Sequence, residues 1–170
     1  MVGIGNLIMT DDAAGIHAVG ALRTHYDFPE GVELIDGGTK GIELLPYLEG
    51  AARMMLIDAV DFREPPGTIR MIEGDEIKAF LDLKFSVHQI GIPDMLFALE
   101  FKGIKPPEMC LLGIQPASLE TGTRMTPEVD RAFDSLITAA LEKLTAWGIE
   151  ATENQMGGRS EYRYVPGNTL

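Results

Sequence analysis

The chain has 170 residues, 45% of them hydrophobic and 24% charged, which suits one soluble globular domain and excludes a disordered or collagen-like chain. Fourteen Lys and Arg against 26 Asp and Glu give a net charge of −12, which opposes phosphate backbones and argues against a nucleic-acid partner. A single cysteine, Cys110, excludes an internal disulfide or a thiolate cluster. No apolar run reaches the ~18 residues of a membrane span, and Met1 leads directly into a glycine turn, so a soluble cytoplasmic protein is expected.

Met1 to Gly5 reads as a short first strand ending in Gly3-Ile4-Gly5-Asn6. Thr10, Asp11 and Asp12 stand where an N-cap and first-turn acids belong. Ile16, Val19, Leu22 and Tyr26 then recur at helical spacing over 13–26. Val32 to Ile35 predicts a strand stopped by Asp36-Gly37-Gly38-Thr39, and Ile42 to Leu48 a short helix. Met54 to Val60 is apolar apart from Asp58, as for a strand buried on both faces. Thr68 to Glu73 alternates like an edge strand, Glu76 to Leu83 suggests a helical turn or two, and Ile92 to Phe101 a helix begun at Pro93. Met109 to Ile114 is a further buried strand. Thr126 and Pro127 open a last helix with an apolar stripe through Val129, Phe133, Leu136, Ala140, Leu144 and Trp147, ended by Gly148. The alternation predicts an α/β fold: three layers, a mainly parallel twisted sheet of about five strands, and helices on both faces. A single domain over 1–149 and a polar tail over 150–170 complete the organisation.

Ligands of such sheets bind beyond the carboxyl ends of the strands. Asp12 follows strand one, Asp58 ends a central strand, and His88 lies in Ser86-Val87-His88-Gln89-Ile90-Gly91 before a helix. Two carboxylates and an imidazole suit a divalent transition metal, and three ligands leave coordination positions open. Each residue also has a plain structural role available: a helix N-terminus for Asp12, loop amides for Asp58, a loop hydrogen bond for His88. Gly3-Ile4-Gly5 with Asp36 mimics part of a dinucleotide fingerprint, but Ile8 occupies the third glycine's place and two acids follow. Cys110 reads as an inert core thiol, and His17 and His25 as surface residues.

Five segments then stand in order: Gly3-Ile4-Gly5-Asn6 with Asp11-Asp12, Asp36-Gly37-Gly38-Thr39-Lys40-Gly41, Ile57-Asp58-Ala59-Val60, Ser86 to Gly91, and Gly113-Ile114-Gln115-Pro116. Together they resemble the nickel–iron hydrogenase maturation endopeptidases, from residue 1 to about 149. The resemblance implies an aspartate-based peptidase that removes a C-terminal peptide from the hydrogenase large-subunit precursor once nickel has been inserted. It implies that Asp12, Asp58 and His88 ligate the metal, with Asp12 and Asp58 also the catalytic candidates. It places Asp36, Gly37, Gly38 and Thr39 near the substrate. Nickel would arrive with the substrate, and zinc or cadmium could occupy the same donors. The implied protein is a monomer with no membrane partner. Some relatives carry glutamate where Asp12 stands, and relatives usually have more apolar residues before the first glycine turn than Met1 and Val2, which implies a late start or a clipped first strand. A nucleotide-dependent oxidoreductase and a non-cleaving sensor of nickel loading are the alternative readings.

Overall fold

A computed structural model describes residues 1–48, 50–74, 76–77, 97–99, 101–104 and 108–154. The motif 86–91 with His88, most of the turn expected over 76–83 and of the helix expected over 92–101, and 155–170 lie outside the described residues.

The described chain runs β1 (Val2–Ile4), α1 (Ala14–His25), β2 (Tyr26–Asp27), β3 (Ile35–Gly38), α2 (Leu45–Leu48), β4 (Arg53–Ala59), β5 (Ile69–Glu73), β6 (Glu108–Ile114), α3 (Pro127–Ala146) and β7 (Thr152–Glu153). Five strands form one sheet in the order β3-β1-β4-β6-β5, parallel except for β5, which runs antiparallel along β6. Residues alternate across it, so each face owns its own core. Met55, Ile57, Cys110, Leu112 and Ile114 pack with α1 and α3. Met54, Leu56 and Leu111 pack on the other side with Leu44, Leu45, Ile77 and Leu99. This is the expected three-layer α/β arrangement, with β4 and β6 buried on both faces.

Three local expectations are corrected. The strand expected at 32–35 forms instead at Ile35–Gly38, so Asp36, Gly37 and Gly38 lie in β3 rather than in a turn after it. The absence of side chains explains this: a Cβ on Gly37 would press on Val2, on the Gly3 carbonyl and on Leu44, and Gly38 turns out of the strand at φ +50°. Thr126 stands at the N-cap of α3 but makes no side-chain cap bond. Thr10, read as a cap of the first helix, lies inside a 3-10 turn over Thr10–Ala13 that precedes α1. In addition, Thr152 and Glu153 pair with Asp27 and Tyr26, anchoring the first residues of the segment read as a tail.

The first helix sits unusually low on the sheet. A Cβ on Gly15 would overlap the backbone carbonyls of Ile57 and Ile4, and one on Gly3 would overlap the carbonyl of Gly15. Helix and strand backbones are therefore in contact, with β1 and β4 both beneath the start of α1. Gly15→Ala is expected to cost at least about 2–3 kcal/mol, because backbone atoms cannot move aside as a side chain can. Equilibrium urea denaturation measures it, and Gly20→Ala, where a Cβ meets open space on the same helix, is the control.

Candidate active site

The carboxyl ends of β1 and β4 lie side by side, with Gly3 opposite Ile57. Asp58 is the next residue of β4 and is buried. Alternation along β4 puts its side chain on the face of Met54 and Leu56, where Ile77 and Leu99 also pack. From β1 the chain crosses to α1 through Gly5, whose φ of +138° and missing Cβ let the Asp12 carbonyl rest against it. A side chain at residue 5 would push Asp12 away from the sheet.

Asp12 thereby comes within electrostatic reach of Asp58. Burial raises the Asp58 carboxyl well above the usual aspartate range, the Asp12 charge raises it further, and the Ala59 backbone N–H opposes both. Among the described residues no third ligand-type side chain joins this pair. His88, the third expected ligand, lies outside them.

The neighbouring Asp11 has a different task, which its position beside Asp12 in the sequence did not reveal. It is fully buried and accepts four hydrogen bonds: from the amides of Ala117 (2.8 Å), Ser118 (3.0 Å) and Thr126 (2.7 Å), and from the Thr126 hydroxyl (2.9 Å). The hydroxyl expected to cap α3 is thus spent on Asp11. Thr10 adds bonds from its own hydroxyl to the carbonyls of Ser118 (2.6 Å) and Glu120 (3.1 Å), which helps hold it at φ +38°, a costly conformation for a β-branched residue. The loop carrying Asp12 is bolted to the loop after β6. The available signal was the Asp11-Asp12 doublet: in a tight turn adjacent side chains diverge, so only one of them can face the crevice.

Gln115 is likewise structural. Its Oε1 accepts from the amides of Phe62 (2.6 Å) and Glu64 (3.3 Å), and its Nε2 donates to Asp61 Oδ1 (3.2 Å), fixing the loop that leaves Asp58. Gly113 leaves room for the Phe62 ring. The motif at 113–116 therefore seats the loop rather than supplying chemistry. Gly3 and Gly5, read as part of a phosphate fingerprint, instead accommodate the backbones of Gly15 and Asp12.

Asp36 lies on the edge strand β3, opposite Gly3 and two strands from β4. Its side chain is exposed, and Oδ1 accepts from the Gly38 amide (3.1 Å). His17 of α1 is half-buried beside it. Burial lowers the imidazole's pKa and the Asp36 charge partly restores it. Gly37 is buried and Thr39 exposed. The structure thus pairs Asp12 with Asp58 and sets the 36–39 segment at the neighbouring rim. Cys110 is an inert core thiol as expected, with burial pushing it up to about 12.

Two substitutions separate these roles. Asp11→Ala is expected to lose about 3 kcal/mol in urea denaturation, since it removes the acceptor of three partly buried amides and a hydroxyl. Asp58→Asn should do the opposite in chelator-treated protein. The folded-state pKa of Asp58 is raised, so the wild type loses stability as pH climbs from about 4 through that raised value. Asparagine mimics the protonated acid. The variant should match the wild type in acid and exceed its Tm at neutral pH, by about 2–4 °C for each kcal/mol recovered. A lower Tm at neutral pH would refute the assignment.

Comparisons with known proteins place the chain in a family. A family model described as hydrogenase maturation protease (HycI) matches residues 16–143. The hydrogenase 2 maturation protease of Escherichia coli is 37% identical over 152 residues, covering 89% of this chain and 93% of that one. The hydrogenase expression/formation protein HupD of Rhodobacter capsulatus is 39% identical over 90% of this chain and 74% of its own length. Among solved structures, the hydrogenase maturating endopeptidase HybD from E. coli superposes with a TM-score of 0.83 at 37% identity, covering 92% of this chain and 97% of that one. With a matching family model over most of its length and relatives at this level of identity, the chain belongs to the hydrogenase maturation protease family.

Proposed function

We propose that this endopeptidase removes the C-terminal extension from the nickel-loaded large-subunit precursor of a nickel–iron hydrogenase, acting as a cytoplasmic monomer. Among the described residues, no helix is long and apolar enough to cross a membrane. The observation that carries the reading is the Asp12–Asp58 pair at the carboxyl end of the sheet, in a chain of this family.

Asp12, Asp58 and His88 are the ligands assigned to the substrate's nickel. His88 belongs to a stretch whose described flanks, Ile77 and Leu99, are both buried on the face of the sheet that carries Asp58. A buried carboxylate beside a second one is costly without a cation and favoured with one. That difference gives the site a physical means of telling a loaded precursor from an empty one: the dication of the substrate turns repulsion into attraction. Zinc or cadmium can stand in for nickel with such donors. For cleavage, Asp12 and Asp58 are the catalytic candidates. A carboxylate held at a raised pKa takes a proton from an attacking water more readily, and one engaged by metal less so. Asp36, Gly37, Gly38 and Thr39 are assigned to substrate recognition at the rim.

Incubation with nickel-loaded and nickel-free precursor, followed by intact-mass measurement, tests the reading. A C-terminal mass loss confined to the loaded precursor is expected. Tight binding with no mass loss would replace the peptidase by a sensor of nickel loading. Asp58→Asn should slow cleavage on the order of 100-fold or more while the protein stays folded. Metal affinity should fall below about pH 6, as protonated His88 ceases to be a ligand.

A further inference from the structure

β3 is an edge strand: β1 pairs with it on one side, and among the described residues nothing pairs with the other. The directions of its backbone groups follow from the hydrogen bonds. The Ile35 amide donates to the Met1 carbonyl (2.9 Å), so residue 35 faces β1. Leu34 and Asp36 must then face outward, because neighbours along a strand alternate. In keeping with this, the Leu34 carbonyl accepts from the Arg23 guanidinium (2.6 Å). That bond covers one outward group; among the described residues no hydrogen bond to the Leu34 N–H or to either backbone group of Asp36 accompanies it. An open cleft of about 420 Å3 lies against this edge, lined by Glu33, Leu34, Ile35, Asp36, Lys40 and Leu44. Its lining is part apolar and carries both charges, as a peptide with mixed side chains requires.

We infer that the precursor docks by strand addition: an extended segment close to its scissile bond pairs with the outer edge formed by Leu34 and the start of β3, through Asp36, and lays its side chains in the adjoining cleft. The inference rests on the proposed processing of the precursor and says how the polypeptide is held. An edge that offers unpaired backbone groups is a template for another strand. A peptide bond can be cut only in a chain that is locally extended and accessible, so such a segment is available at the site. The sheet also sets the spacing. From an added strand to β4 there are three inter-strand steps of about 4.8 Å, roughly 14 Å, which an extended chain covers in about four residues. The docked segment should therefore lie about four to six residues from the cut bond.

The test uses the full chain and nickel-loaded precursor. Leu34→Pro removes the outward N–H, which an edge strand tolerates. Leu34→Ala shortens the same side chain and keeps that donor. The expected result is a KM at least about fivefold higher for the proline variant than for the alanine variant, with kcat within about twofold. Equal KM values overturn the inference. Should the proline variant fail to fold, a photo-crosslinking amino acid at Lys40 in otherwise wild-type protein decides. An adduct on the precursor within about six residues of the cut supports strand addition, and an adduct elsewhere, or none, refutes it. Absence of cleavage by the wild type is a separate readout and removes the processing reaction itself.

Discussion

The position of Asp12 depends on a contact between backbones. At Gly3, Gly5 and Gly15 the start of α1 and the turn before it lie directly on β1 and β4, with no side chain between. Side chains usually fill the space between a helix and the sheet beneath it. Here the gap is closed at one end of the helix, and that end carries Asp12. The same contact brings Asp12 into the field of Asp58, although the two are 46 residues apart in sequence (58 − 12).

The result is a site set against the stability of its own fold. Burial and a like-charged neighbour both disfavour the ionised Asp58, and among the described residues the Ala59 amide favours it. The surrounding loops bear the cost. Asp11 ties one side of the crevice to 117–126, and Gln115 ties the other to 61–64. Each bolt uses a polar side chain as the acceptor for loop amides, partly buried around Asp11 and buried at Phe62. Two acids adjacent in sequence are therefore placed differently: Asp11 accepts four hydrogen bonds from the loop after β6, and Asp12 lies in the field of Asp58.

Much of this was legible from residue patterns. The apolar runs at 54–60 and 109–114 marked the two strands buried on both faces, and the stripe from Val129 to Trp147 marked the long helix. Asp12 and Asp58 could be named because strand ends are where polar residues in such a sheet face the crevice. The failures were of two kinds. Gly37 and Gly38 have the local preference of a turn, which does not reveal that Val2 and Leu44 crowd the strand from the sides. The roles of Asp11, Thr126 and Gln115 are not legible locally, because their partners lie far away in sequence. No window of neighbouring residues contains Ala117 when Asp11 is being read.

That long reach has a consequence for the order of events during folding. The hydrogen bonds of Asp11 span 106, 107 and 115 residues. Contacts of such high order are entropically late, because a long loop must close before any of them forms. During synthesis the turn bearing Asp12 emerges near the beginning of the chain, whereas Thr126 emerges more than a hundred residues afterwards. The turn that presents Asp12 is therefore among the last parts of the molecule to become rigid, and a ribosome-bound fragment would carry Asp12 and Asp58 without holding them in place.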